Sequence, residues 1–146
     1  MASVASVDGT TIDYDIAGSG TVIVFVAGVF NLRDTFTPLA AELSSDHTVL
    51  TYDRRGRGES SDTAPYSIER EVEDVQAIIE VASSSASVFG YSSGAILAVK
   101  AVADGVAVER LYLYEPPFRF DENWPAPPAD LPARRRCSTL AIRERW

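Results

Sequence analysis

The sequence predicts an α/β fold, a mostly parallel sheet of about six strands with helices on both faces, and two patterns indicate it. First, apolar segments of strand length alternate with segments of helical periodicity between residues 21 and 115. Second, the turn signal Asp8-Gly9-Thr10 separates two opening strand segments, which is typical of an antiparallel hairpin. Strands that alternate with helices pair in parallel, because the connecting helices cross over the sheet and cover both faces.

The predicted strands are runs rich in β-branched and aromatic residues, bounded by turn residues. They cover residues 2–7, 11–16, 21–27, 48–52, 86–89 and 109–115. The third run is apolar from Val22 to Ala27, which predicts a strand buried on both faces. The last run ends before Pro116-Pro117, since proline cannot donate to the hydrogen-bond ladder of a sheet.

Three segments show the apolar spacing of helices. They are residues 33–43, residues 67–81 and a run that opens at Ala95. The second is the clearest, because its apolar residues fall on one stripe: Ile68, Val72, Val75, Ile78 and Ile79. Ser67, followed by Arg70-Glu71, is a start signal for this helix.

Composition limits the class of protein. The 146 residues suffice for one domain with a core, and the 46% of apolar residues excludes a disordered chain. A formal net charge of −8 argues against nucleic acid and against an anionic membrane surface as partners. The single cysteine, Cys137, allows no disulfide within the chain, and no signal peptide is visible, so we expect a cytoplasmic protein. The sequence suggests no metal site and no cofactor.

The segment Gly90-Tyr91-Ser92-Ser93-Gly94 lies where an apolar strand turns directly into a helix. A Gly-x-Ser-x-Gly pattern in that context is typical of a nucleophile elbow, in which a sharp turn raises a serine hydroxyl above the sheet. Gly90 and Gly94 are needed because larger side chains would collide with the neighbouring strand and helix. The alternative is that Ser92 only forms a tight turn.

Three segments, in this order, resemble the α/β-hydrolase family of serine hydrolase type over residues 1–117. They are Val26-Ala27-Gly28-Val29-Phe30, the segment Tyr52 to Ser60 with the pattern Asp-x-Arg-Gly-x-Gly-x-Ser, and the elbow. The resemblance implies hydrolysis of a small-molecule acyl substrate, with Ser92 as the nucleophile. It places the oxyanion-hole N–H groups at Val29 and Ser93, and a possible catalytic acid at Glu115. Ala27 stands where the family usually has histidine, which leaves those backbone donors in place.

The arginine-rich loop Arg54-Arg55-Gly56-Arg57-Gly58 has two interpretations. Guanidinium groups and glycine amides suit an anion such as phosphate. The resemblance favours the other interpretation, in which Asp53 and the arginines hold the loop together near the rim of the site.

The sequence lacks an obvious general base for Ser92, and a serine hydroxyl is almost fully protonated at neutral pH. Its one histidine, His47, precedes the fourth strand and so belongs at the opposite edge of the sheet from the elbow. A strand of five or six residues separates those edges by roughly 17–20 Å. We therefore expect little or no turnover by this chain. The alternatives are a histidine supplied by a second chain, or a non-catalytic fold remnant that binds a small molecule or a partner.

Residues 118–146 differ in composition from the partial hydrolase core of residues 1–117. A proline-rich stretch, residues 124–128, is followed by several arginines, among them Arg134-Arg135-Arg136. One hypothesis is a prematurely ended or frame-shifted copy of a longer hydrolase, truncated at its C-terminus. The other is a helix over residues 131–146, packed on the elbow as the remnant of a cap. The first hypothesis leaves the sixth strand as an open apolar edge, which predicts self-association through that edge.

Overall fold

A computed structural model of the chain describes residues 2–117, and these residues contain one six-stranded sheet. The order across the sheet is β1-β2-β4-β3-β5-β6. The strands are β1 (Ala2–Ala5), β2 (Thr11–Ala17), β3 (Thr21–Val26), β4 (His47–Tyr52), β5 (Ala86–Tyr91) and β6 (Val108–Tyr114).

The sheet is antiparallel at one end and parallel across the rest. β2 pairs antiparallel with both β1 and β4, whereas β3 pairs in parallel with β4 and β5, and β5 pairs in parallel with β6. The predicted α/β class, with a mostly parallel sheet after an opening hairpin, is therefore confirmed. Because β3, β4, β5 and β6 are parallel, their carboxyl ends share one edge, and the loops that follow them meet there.

The three helices are α1 (Thr37–Leu43), α2 (Ile68–Ala82) and α3 (Ser93–Ala103). The single helix predicted over residues 33–43 is wrong in detail, because a 3₁₀ turn at Arg33–Phe36 precedes α1. Pro38 lies in the first turn of α1, where its missing N–H costs nothing and its fixed φ favours a helix start. Ser67 precedes α2 as predicted, but its hydroxyl makes no capping hydrogen bond.

The two faces of the sheet carry separate apolar cores. The larger core packs α2 and α3 on one face and includes Val24, Val26, Val75, Ile78 and Leu97. The smaller core packs the 3₁₀ turn and α1 on the other face and includes Phe25, Ala27, Phe36 and Val49. The prediction of helices on both faces of the sheet is confirmed. β3 is fully buried only over Val24–Val26, so the prediction of burial along the whole strand is wrong at its exposed start.

The predictions for the tail, including a helix over residues 131–146, the alternative of a frame-shifted end, and the lone Cys137, fall outside the described residues. Among residues 2–117, none of the helices combines the length and the apolar character that crossing a bilayer requires.

Candidate active site

Ser92 lies at a sharp bend between β5 and α3, at the carboxyl edge of the sheet. Its backbone has φ 53° and ψ −121°, a conformation that L-residues rarely adopt. The flanking glycines allow this bend, because a Cβ on Gly90 would lie 2.5 Å from Ala95 Cα, and a Cβ on Gly94 would collide with the Val26 carbonyl oxygen. The two glycines therefore occupy places where any side chain would push strand and helix apart.

Backbone contacts hold the serine in this position. The Ser92 N–H donates to the Tyr114 carbonyl of β6 over 2.9 Å, and the Ser92 carbonyl accepts from the Ala95 N–H over 2.9 Å. A Cβ on Gly28 would lie 3.3 Å from Ser92 Cβ, so the loop after β3 passes directly beside the serine. Ser92 is half-buried at this junction.

Sequence analysis assigned the oxyanion hole to the N–H groups of Val29 and Ser93, which belong to two segments that adjoin Ser92. Ser93 follows it in the first turn of α3, and Val29 follows Gly28 in the loop beside it. A turn in which the Asn31 N–H donates to the Gly28 carbonyl over 3.2 Å fixes the start of that loop. Within residues 2–117, neither N–H is engaged by a backbone or side-chain acceptor. Both are thus available to a negatively charged oxygen.

A buried guanidinium, that of Arg54, joins these two segments; sequence analysis assigned Arg54 to its own loop and did not predict this connection. Arg54 Nη1 donates over 3.2 Å to both the Ala27 carbonyl and the Ser93 hydroxyl. The same side chain pairs with both oxygens of Glu71, at 2.5 and 2.7 Å. Burial acts to lower the pKa of Arg54, but the hydrogen bonds and charge of Glu71 outweigh it and raise that pKa. Burial acts to raise the pKa of Glu71, but the hydrogen bonds and the charge of Arg54 outweigh this effect, so the pKa of Glu71 is lowered.

Arg55 is also buried and ion-paired. Its guanidinium bonds Asp74 at 2.7 and 2.8 Å and Asp8 at 2.9 Å, which ties α2 to the β1–β2 turn. The hydrogen bond from Arg55 holds the pKa of Asp8 well below its usual range, and the bond to Asp74 raises the pKa of Arg55. Both Arg54 and Arg55 therefore hold the loop together, as the resemblance favoured.

Asp53 is a loop anchor in the structure. Its carboxylate accepts hydrogen bonds from the Arg33 N–H at 2.9 Å, the Arg33 guanidinium at 2.7 Å and the Glu59 N–H at 3.3 Å. Gly58 passes so close that a Cβ there would collide with this carboxylate. Asp53 is almost completely buried and faces away from solvent, so its partners fix the turn after β4.

The remaining predicted residues lie apart from this arrangement or at its rim. Glu115 follows β6, has φ 50° and is exposed at the same edge as the elbow. His47 begins β4 and its Nδ1 lies 2.7 Å from the Thr21 hydroxyl, at the amino edge of the sheet. The length of β4 therefore separates this imidazole from Ser92, as expected from the sequence.

An aromatic groove of about 400 Å³ opens beside the elbow on the α1 face. It is lined by Asn31, Phe36, Leu39, Phe89, Tyr91 and Tyr114. The ring of Tyr91 packs 5.7 Å from that of Tyr114, and Tyr114 is more than half exposed. In the described part of the chain, no cluster of three His, Cys, Asp or Glu side chains could hold a metal ion.

Comparison with known proteins identifies the fold family. The model of the alpha/beta hydrolase family matches residues 23–146, which include the Gly28 loop, the arginine-rich loop and the elbow. The chain belongs to the alpha/beta hydrolase family. The resemblance inferred from the three sequence segments is thereby confirmed at the level of family and fold.

Individual hydrolases are similar over part of their length. The crystal structure of an alpha/beta hydrolase from Sphaerobacter thermophilus DSM 20745 superposes with a TM-score of 0.81 at 48% identity, over 87% of this chain and 50% of that one. The esterase EaEST from Exiguobacterium antarcticum gives a TM-score of 0.70 at 25% identity, over 76% of this chain and 43% of that one. The uncharacterized hydrolase YraK of Bacillus subtilis (strain 168) is 36% identical over 95 residues, which are 62% of this chain and 35% of YraK. The chain thus spans half or less of the length of these relatives.

Proposed function

We propose that Ser92 is the nucleophile of an acyl-hydrolase reaction on a small-molecule ester or related acyl compound. The observation that carries this proposal is the strained backbone of Ser92, at φ 53°, directly beside the Gly28 loop. Strain of this kind persists only where the surroundings enforce it, and it is concentrated at functional sites. The likeness to an esterase from Exiguobacterium antarcticum, at 25% identity, supports ester hydrolysis as the reaction.

In this proposal the hydroxyl of Ser92 attacks the acyl carbon, and the carbonyl oxygen takes up negative charge between the N–H groups of Val29 and Ser93. Two preorganised backbone donors stabilise such an oxyanion strongly, because they require no reorganisation during the reaction. A serine rather than an aspartate at this position disfavours the chemistry of epoxide hydrolases and dehalogenases. In this proposal Glu115, exposed after β6 at the same edge as the elbow, is the candidate for the acid that orients a base.

We also propose that this 146-residue chain hydrolyses acyl compounds only slowly, because it lacks a histidine base near Ser92. The proton of the Ser92 hydroxyl must go to a base, and the one histidine of the sequence lies at the far edge of the sheet. The oxyanion donors alone support a residual rate that is orders of magnitude below that of a complete site. A base supplied by another chain would restore the reaction at the same serine.

A second candidate function is a non-catalytic one, in which the chain binds a partner or a small molecule. The exposed tyrosines of β6 favour it, since Tyr112 is 48% exposed and Tyr114 is 55% exposed at the edge of the sheet. Exposed aromatic residues on an edge strand offer both apolar surface and backbone hydrogen-bonding groups to a second chain.

Labelling with a fluorophosphonate, with and without added imidazole, tests the nucleophile. Slow phosphonylation is expected in buffer, and imidazole should raise the rate about tenfold or more because it supplies the missing base. Peptide mass spectrometry should map the adduct to Ser92. Ser92→Ala should abolish labelling, and Ser84→Ala, which changes an exposed loop serine, should leave it unchanged.

The opposite result would favour the non-catalytic function. If folded protein, verified by circular dichroism, takes up no phosphonate even with imidazole, Ser92 is not an activated nucleophile. Labelling spread over several surface serines would have the same meaning, because it would show only general reactivity.

A further inference from the structure

The arginines near the elbow differ in how their charges are compensated. Between residues 33 and 70 the chain has five arginines, and four of them form ion pairs with carboxylates: Arg33, Arg54, Arg55 and Arg70. The fifth, Arg57, has no carboxylate within ion-pair distance among residues 2–117. It is half-buried, so water compensates its charge only in part.

Arg57 lies at the oxyanion loop. Its Nη1 donates over 3.4 Å to the carbonyl oxygen of Gly28, whose peptide bond leads directly to the Val29 N–H. Gly28 lies beside Ser92, since a Cβ added to it would be 3.3 Å from Ser92 Cβ. The guanidinium is therefore one peptide group away from the predicted oxyanion donor and at the rim of the site.

The charge of Glu71 compensates Arg57 only in part, because both oxygens of Glu71 are already engaged by other groups. Glu71 Oε2 accepts from Arg54, and Glu71 Oε1 accepts from Arg54 and from the Tyr66 hydroxyl at 2.9 Å. Desolvation and then the positive charge of Arg54 lower the pKa of Arg57, in line with the absence of an ion-pair partner for this guanidinium among residues 2–117. An anion that bound beside it would relieve both effects.

We propose that Arg57 determines substrate specificity by binding a carboxylate carried by the acyl compound. The proposal rests on the proposed function for its catalytic meaning, but the binding itself does not depend on the nucleophile. A guanidinium matches the two oxygens of a carboxylate with paired N–H donors. Arg57 provides one uncompensated positive charge, which suits a singly charged carboxylate better than a doubly charged phosphate.

The loop around Arg57 also suits a ligand with an apolar part. Val29 and Phe30 follow Gly28 directly, and Phe30 is almost fully exposed. A ligand that placed its carboxylate on Arg57 would thus have apolar surface of the same loop beside it. We infer that the preferred acyl compounds carry a short hydrocarbon chain that ends in a carboxylate.

Nuclear magnetic resonance of the full 146-residue chain tests the binding without requiring turnover. Sodium butyrate and its neutral isostere butyramide are titrated at equal ionic strength, and the Arg57 side-chain Nε–H and the Gly28 and Val29 amide signals are followed. Butyrate should shift these signals saturably and bind about tenfold more tightly than butyramide, the difference expected of one charge-assisted contact. Equal shifts with both compounds would overturn the proposal.

Two variants locate the effect. Arg57→Gln should remove the preference for butyrate, whereas Arg110→Gln, which changes an exposed arginine of β6 that also has no ion pair within residues 2–117, should preserve it. Inorganic phosphate serves as the competing anion and should bind more weakly than butyrate. If Arg110→Gln reduces butyrate binding as much as Arg57→Gln, the interaction is only a general charge effect and the proposal is wrong.

Ser92→Ala separates this proposal from the proposed function. Butyrate should still shift the Arg57 signal in that variant, because the guanidinium and the serine act on different parts of the ligand. Retained butyrate binding together with absent phosphonate labelling of the wild-type chain would leave the anion site in place while rejecting the nucleophile. Labelling of Ser92 without selective butyrate binding would support the nucleophile and reject the carboxylate site at Arg57.

Discussion

The loop after β4 and the outer strand β6 lie at the two sides of the elbow, and they are built in opposite ways. In the loop, Arg54 and Arg55 are almost completely buried, and each is matched by carboxylates of α2. At β6, no ion pair within residues 2–117 covers the side chains on the α1 face of the sheet, and Tyr112 and Tyr114 are about half exposed. On the loop side, buried ion pairs hold the site in place, whereas on the β6 side the surface is aromatic and exposed.

This difference indicates where the rigidity of the candidate site originates. Through Arg54 the ion-paired loop contacts Ala27 and Ser93, which lie in the two segments beside Ser92, so the stability of the loop and the geometry beside Ser92 are connected. β6 contributes a backbone hydrogen bond to Ser92 through the Tyr114 carbonyl, but its outer face adds little packing. We therefore expect substitutions in the loop to be costly and substitutions on the face of β6 to be tolerated.

The largest effect is expected from breaking the Arg54–Glu71 pair on one side only. Glu71→Gln leaves a buried guanidinium without its counterion, and this should lower the free energy of unfolding by about 3–5 kcal/mol. Arg54→Met with Glu71→Leu removes both charges and should cost only about 1–2 kcal/mol, for the lost bonds to Ala27 and Ser93. Urea unfolding followed by circular dichroism measures all three proteins.

An exposed ion pair provides the control. Arg70 and Glu73 pair at 2.8 Å on the surface of α2, with both side chains about one-third exposed. Glu73→Gln should therefore change the free energy of unfolding by less than about 1 kcal/mol. The prediction is wrong if Glu71→Gln lowers the free energy of unfolding no more than Glu73→Gln, because the buried pair would then matter no more than the exposed one.

The fold was predictable from the sequence because its signals are local. Strand length, apolar runs and turn residues indicated six strands within a few residues of their observed bounds, and the Gly-x-Ser-x-Gly pattern indicated the bend at Ser92. The helix over residues 33–43 was misjudged because apolar spacing does not distinguish one helix from a 3₁₀ turn followed by a shorter helix.

The ion pairs were not predictable, because they join residues distant in the sequence. One signal was present: Glu71 and Asp74 lie on the buried side of α2, among its apolar stripe, where an unpaired carboxylate would be very costly. Two carboxylates buried there require cationic partners, and the two arginines directly after β4 are those partners. The pairing itself became visible only in three dimensions.

An intermediate effect on stability is expected from acid, through the carboxylates that pair with Arg54 and Arg55 of the loop. The pKa values of Asp8 and Glu71 are lowered in the folded chain from ordinary values of 3.8 and 4.5. Because their folded pKa values lie below the unfolded ones, their contribution is fully present above about pH 5 and is lost as the pH falls below about 4. Melting temperatures at pH 7, 5, 4 and 3 should show this decline.

The variant Asp8→Asn measures how much of this pH-dependent stability comes from Asp8. At pH 7 this variant should be less stable by about 1–2 kcal/mol, since Arg55 keeps Asp74 but loses one charged partner. The difference between wild type and variant should shrink below pH 4, where Asp8 of the unfolded chain takes up a proton while the folded chain resists protonation. A difference that stays constant from pH 7 to pH 3 would contradict the assigned role of the Asp8 charge.

The smallest effect on stability, and the clearest effect on association, is expected at β6. Tyr112→Lys places a charge on the open face, where nothing is displaced from a core, so the free energy of unfolding should change by no more than about 0.5 kcal/mol. We propose that this chain self-associates through the β6 edge, and a lysine on an edge strand opposes such pairing because it brings like charges together. Sedimentation equilibrium should therefore show a larger monomer fraction for the variant than for wild type.

Val7→Lys is the matched control, because Val7 is an exposed apolar residue at the opposite end of the sheet, beside β1. If association depends on β6, Val7→Lys should leave the monomer fraction unchanged. Equal effects of the two lysines would mean that association is a general consequence of exposed apolar surface. If neither lysine affects it, the open face of β6 would be excluded as the contact, and the contrast between the ion-paired loop and β6 would concern stability alone.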